Sequence, residues 1–165
     1  MSYYDDASLM FLAGGGAQKD GTAYSVKPVP VYGAELITNG DFATDSDWTK
    51  TNSVISGGVA TITSTGYGYA AIVQNNVLTI GKTYKATFDI NSIVGGLRVA
   101  TSQLITNSGI ASVTFTATYT YLDIRRDSSY ATTIASIDNV SVKEVLVGDG
   151  DFTFSRGSNL AATRV

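Results

Sequence analysis

The sequence predicts an all-β fold, and three observations carry that prediction. "TYKATFDI" alternates strictly, with Tyr84, Ala86, Phe88 and Ile90 on one side and Lys85, Thr87 and Asp89 on the other, which is the period of a half-buried strand. The runs between turn signals are rich in Thr, Val, Ile and Tyr and punctuated by 17 glycines, the composition that strands and tight turns favour. No stretch sustains a helical period. With hydrophobic residues at 44% and charged residues at 15%, the chain can bury a core rather than remain disordered.

Three zones follow one another. Residues 1–33 hold a short apolar patch (Leu9, Met10, Phe11, Leu12), a glycine-rich "GGGAQKDGTA" and then "YSVKPVPVYG" with Tyr24, Pro28 and Pro30. The X-Pro steps favour an extended path, so this zone reads as a docking arm or linker. Residues 34–147 are the folded domain. "SVISGGVATIT" places two short strands about Gly57-Gly58, a hairpin signature. "SVTFTATYTYLDIRR" changes parity, from Val113, Phe115 and Ala117 to Leu122 and Ile124, which calls for a turn or bulge near 117–119. "ASIDNVSVKEV" does the same between Ile137 and Val140, with the bulge at Asp138-Asn139. About eight strand-like runs with turns between them predict a β-sandwich of jelly-roll type. Residues 148–165 open with a Gly/Asp turn and continue as an exit strand with Phe152, Phe154 and Arg156, expected to lead into a further C-terminal region.

Composition narrows the chemistry. With no cysteine and no histidine, the chain offers no thiolate or imidazole for a metal, no Ser-His-Asp triad and no Cys-His pair. A net charge of −3 argues against nucleic-acid binding. No apolar run is long enough to span a membrane. The opening "MSYYDDASLMFLAGGG" has Asp5 and Asp6 where a secretory signal needs basic residues, so it reads as part of the mature protein.

The segment "NGDFATDSDW" concentrates Asp41, Asp45 and Asp47 beside Trp48. A carboxylate pair could serve glycoside cleavage, but it needs a cleft and one raised pKa, and this segment is short and polar. The simpler reading is a turn at Gly40-Asp41 with Phe42 and Trp48 entering the core. No catalytic residues are assigned, and the chain is expected not to be an enzyme. Exposed aromatic rings with polar neighbours are what a sugar needs. Tyr67 and Tyr69 in "TGYGYAA", and Tyr119, Tyr121, Asp123 and Arg125 in "TYTYLDIRRD", form two such patches, with Trp48 a further stacking candidate. The same tyrosines would also suit a subunit interface. "AGGGAQKDG" lacks the spacing of a phosphate loop and reads as a hinge.

Residues 34–147 resemble carbohydrate-binding-module-like jelly rolls of bacterial and phage proteins. The resemblance lies in "ELITNGDFATDSDW", "IGKTYKATFDI", "YLDIRR" and "SIDNVSVKEV", taken in that order. It implies a candidate structural calcium at Asn39, Asp41 and Asp138, although Ala43 stands where the family often has Glu. The flanks "DDASLMFLAGGGAQKDGTAYSVKP" and "GDFTFSRGSNLAATRV" are similar to the opening of tailed-phage virion proteins, of the tail-fibre and head-fibre kind. That likeness implies a structural appendage protein of the virion, made in the bacterial host cytoplasm. It would dock through its arm to other virion proteins, assemble as a homo-oligomer with a trimer favoured, and display the jelly roll. The alternative function is adhesion to a host surface glycan.

Overall fold

The structure, a computed structural model, describes residues 9–10, 25–26, 30–100 and 102–146. The chain divides into two compact units, Met1–Pro30 and Val31–Val165. In the first, β1 (Leu9–Met10) pairs antiparallel with β2 (Ser25–Val26), in the register Leu9↔Val26 and Met10↔Ser25. The X-Pro steps expected to extend the chain fall largely on residues 27–29, outside the described residues. Pro30 is exposed. Of the remaining expected docking residues, Phe11, Leu12, Tyr24, Pro28, Phe152, Phe154 and Arg156 lie outside the described residues.

The second unit is all-β among its described residues, a sandwich of two antiparallel sheets. Its strands are β3 (Val31–Glu35), β4 (Thr49–Thr51), β5 (Ser53–Ser56), β6 (Val59–Ser64), β7 (Ala71–Gln74), β8 (Thr83–Val94), β9 (Leu97–Val99), β10 (Gly109–Thr116), β11 (Leu122–Arg126) and β12 (Thr133–Leu146). The larger sheet has the order β10-β8-β12-β6-β5, with β3 also paired to β12; the smaller has the order β4-β7-β11-β9. From β7 onward each strand lies in the opposite sheet from the one before it. Strands distant in sequence thus become neighbours, the wrap of a jelly roll.

The sandwich begins at Val31, three residues before the boundary placed at 34. β3 pairs through Tyr32↔Val145 and Glu35↔Lys143, and its side chains are almost all exposed. An edge strand without an apolar face gives no periodic signal, which is why it read as linker.

The parity changes have distinct causes. Val113, Phe115 and Ala117 face the core from the larger sheet, and Leu122 and Ile124 face it from the smaller one. Residues 117–121 carry the chain between layers. In β12 the register slips between Asp138 and Ser141, with Asn139 at φ 52°, so Ile137 and Val140 both point inward. This is the predicted bulge. The β5–β6 hairpin turns on Gly57 and Gly58 at φ 63° and 76°, the left-handed pair that a two-residue hairpin loop requires.

The core lies between the layers. Tyr84, Phe88, Ile62, Ile137 and Val142 from the larger sheet meet Ile72, Leu97, Val99, Leu122 and Ile124 from the smaller, all essentially inaccessible to water. Each such side chain contributes about 1.5–3 kcal/mol through burial. Two polar links cross this interior. The Gln74 amide accepts from Thr38 N at 3.0 Å and donates to Thr38 O at 2.8 Å, tying the strand-like entry segment to β7. The Tyr84 hydroxyl accepts from Thr79 N at 2.8 Å.

Candidate functional site

The aspartate-rich segment 39–48 is a core-closing loop. Asn39 organises it: its Nδ2 donates to the carbonyls of Thr44 (2.8 Å) and Ser46 (3.0 Å), and its Oδ1 accepts from Thr44 N at 3.2 Å. Its own carbonyl accepts from the Trp48 indole at 3.0 Å. Phe42 and Trp48 pack with ring centroids 5.4 Å apart, and both are buried. Trp48 is therefore no stacking platform; its 7% exposure withholds the ring from any ligand.

The calcium set fares no better. The Asn39 amide is consumed inside its own loop. Asp41 Oδ1 accepts from Ala43 N at 3.3 Å, and Asp138 Oδ1 accepts from Asn139 N at 2.6 Å. No group of three or more acidic side chains gathers to hold a metal among the described residues. A carboxylate of the chain ties the opening segment to the last strand. Glu35 Oε1 accepts from Leu36 N, Ile37 N and Val142 N, and Oε2 accepts from the Ser141 hydroxyl. Partial burial pushes the Glu35 carboxyl up, but these four hydrogen bonds outweigh it and hold the group below its ordinary value. Sequence reasoning quoted Glu35 at the head of "ELITNGDFATDSDW" but gave it no role. Asp45 pairs with Lys50, and Asp47 accepts from the Ser46 hydroxyl at 2.6 Å.

The tyrosine patches lead to a different place. β7 begins at Ala71, so "TGYGY" is a turn and not a strand. Tyr67 sits in it at φ 64°, its N donating to Ala131 O at 2.9 Å, with its ring 63% exposed. Tyr69 is 52% exposed. Tyr119 and Tyr121 lie in the crossing segment before β11, stacked at 5.0 Å with an interplanar angle of 15°. Asp123, expected on an exposed face, is buried, because its carboxylate is capped by Arg125 Nη1 of the same strand.

Cross-strand register gathers these residues. Arg125 pairs with Ala71 on one side and with Arg98 on the other, and Asp123 pairs with Val73. Residues directly opposite in an antiparallel sheet project to the same side. The inward side of β11 is Leu122 and Ile124, so Ala71, Val73, Arg98, Asp123 and Arg125 form the outward face of the smaller sheet. Tyr69, two residues before β7 begins, lines the same cavity as Arg98 and Arg125. Burial raises the Tyr69 hydroxyl pKa, and the Asp123 charge adds to it, so the phenol stays protonated. A cavity of about 420 Å³ opens here, lined by Tyr69, Arg98, Arg125, Arg126, Asp127, Ser128 and Ser129. Arg98 Nε binds Asp127, and its Nη1 donates to Ser102 O at 2.7 Å. Asp127 Oδ1 accepts from Ser129 N at 2.9 Å, which fixes the turn after β11. The Arg98 hydrogen bond, then the Ser129 amide, hold the Asp127 carboxyl at about 2. Sequence reading found Tyr69, Asp123 and Arg125. It missed Arg98, which only the β9–β11 pairing brings in, and gave no binding role to Arg126 and Asp127 at the end of "TYTYLDIRRD".

No protein-family model matches the chain, and no curated protein matches it. A solved structure described as "CBM4 structure and function" is similar to it at 20% identity, with a TM-score of 0.36, over 64% of this chain and 83% of that one.

Proposed function

We propose that the sandwich is a non-catalytic binding module that takes a carbohydrate on the outward face of its smaller sheet. The observation that carries this reading is one cavity of about 420 Å³ in which the half-exposed Tyr69 ring adjoins the donors of Arg98, Arg125 and Ser129. A sugar ring needs an apolar face against an aromatic and directed polar groups at its hydroxyls, and this wall has both. The stacked Tyr119 and Tyr121 extend the aromatic surface beside β11. The test is a glycan array probed with the full chain and with Tyr69→Ala. Binding by the parent that falls at least tenfold in the variant supports the reading; binding unchanged by the substitution moves the ligand elsewhere.

A second reading concerns the setting. The likeness of the flanks to tailed-phage virion proteins supports a fibre or appendage component in which this module is displayed, assembled as a homo-oligomer. Sedimentation of the full chain, and detection of the protein in purified particles, test that reading.

A further inference from the structure

We propose, resting on the carbohydrate reading above, that the sugar this face accepts is acidic, and that Arg98 and Arg125 together hold its carboxylate. Arg98 and Arg125 are directly opposite one another on β9 and β11. Like charges in that relation repel and destabilise a sheet unless something neutralises them. The chain matches the two charges with two carboxylates but uses only part of the donors. Asp127 takes Arg98 by Nε, and Asp123 takes Arg125 by Nη1. Arg98 Nη2 and Arg125 Nη2 are left without a hydrogen bond among the described residues. Both belong to side chains about one-third exposed at the cavity.

Arg126 adds a third guanidinium. Its Nη groups donate to main-chain carbonyls, Tyr130 at 2.8 Å and Asp127 at 3.3 Å from Nη1 and Tyr67 from Nη2. It has no carboxylate partner among the described residues. Carbonyls fix its position without cancelling its charge. Three guanidiniums against the two carboxylates of Asp123 and Asp127 leave the cavity one positive charge, in a chain whose net charge is −3. One added carboxylate balances that charge, whereas a phosphate dianion would overshoot it. The adjoining Tyr69 ring, half exposed, favours a ligand with a stackable ring over an acidic peptide. The two free Nη2 groups can each donate a charge-assisted hydrogen bond to one oxygen of a single carboxylate. A uronic acid unit satisfies all of these conditions.

The experiment presents the full chain with immobilised oligosaccharides containing glucuronate, galacturonate or mannuronate, beside the same oligosaccharides with each carboxyl reduced to CH2OH. The expected result is binding to at least one acidic form and about tenfold or greater weakening in its reduced counterpart, the size of one or more lost charge-assisted hydrogen bonds. Arg98→Lys with Arg125→Lys keeps charge beside Asp127 and Asp123 but removes the planar forks, and it should lose most of that discrimination. Equal binding of acidic and reduced forms by the parent chain, a comparison that needs no variant, overturns the acidic-sugar assignment and leaves the carbohydrate reading standing. Binding to neutral glycans alone has the same consequence. Binding to no glycan overturns both, and calorimetric binding of inorganic phosphate or a poly-glutamate peptide in that case would give the cavity to another anion.

Discussion

The indole of Trp48 donates to the main-chain carbonyl of Asn39 at 3.0 Å, while its ring packs on Phe42. With the Asn39 side-chain hydrogen bonds, this contact closes the loop that joins β3 to β4. It converts the most conspicuous polar cluster of the sequence into a structural clasp.

Because Trp48 is the only tryptophan, its fluorescence reports this clasp alone. Emission should be blue-shifted in the folded chain, shielded from acrylamide, and unchanged by saturating glycan. Trp48→Ala should cost about 3–5 kcal/mol in urea unfolding, the range for deleting a buried aromatic. A stability change under about 1 kcal/mol, set against that range, would contradict the buried placement.

Gly40 is pinned against the last strand. Its carbonyl accepts from Val140 N at 2.8 Å, and a Cβ at this position would collide with the Val140 carbonyl oxygen. Gly40→Ala should therefore destabilise the fold by about 1–3 kcal/mol, the ordinary cost of forced overpacking. Gly81→Ala has open space around it and pays only the left-handed backbone strain at φ 86°. Parallel urea denaturation of the two variants checks the ranking, Gly40→Ala being the less stable.

Acid should unfold the chain through two carboxylates. Asp127 is held at about 2, below its ordinary 3.8, and Glu35 lies below its ordinary 4.5. A depressed carboxyl stabilises the fold fully above its unfolded pKa, and that contribution disappears as pH falls through the folded pKa. With no histidine to titrate near neutrality, unfolding free energy should be flat from about pH 7 to 5 and then decline toward pH 2. Glu35→Gln should lose about 1–3 kcal/mol at pH 7, as expected for a part-buried charged acceptor. It should also flatten the acid slope, as read by denaturation at stepped pH.

Tyr69 and Tyr121 should separate binding from folding. Tyr69 is half exposed, Tyr121 is stacked only on Tyr119, and neither contributes to the buried core. Tyr69→Ala with Tyr121→Ala should leave the thermal midpoint within a few degrees of the parent while reducing glycan binding at least tenfold, consistent with loss of aromatic contacts worth about 0.5–1.5 kcal/mol each beyond area burial. Calorimetry of unfolding and of binding on the same samples measures both.

Much of the sandwich was legible because its signals are local. Alternation in 84–90 marked β8, Gly57-Gly58 marked the hairpin, and the slip from Ile137 to Val140 marked the bulge in β12. The site was legible only in part. Tyr69, Asp123 and Arg125 stood out as aromatic and charged residues in strand-like runs. Their partners did not, because Arg98 reaches Arg125 only through non-local pairing of β9 with β11, and no periodicity encodes which strands become neighbours. Asp123 misled for the opposite reason: a single internal partner, Arg125, satisfies its carboxylate, so it can be buried against its usual tendency. Trp48 entered the core as the simpler reading had it, its indole satisfied by Asn39 O, and only its candidacy as a stacking platform fell.

On the proposed function, ligand meets the outward face of the smaller sheet. Backbone-amide NMR of the full chain, titrated with the strongest oligosaccharide from the array, tests it directly. Shifts concentrated at Tyr69, Ala71, Arg98, Asp123, Arg125 and Ser129 are the predicted result. Shifts confined to β8 and β10 of the larger sheet, or no shifts at saturating ligand, would contradict it.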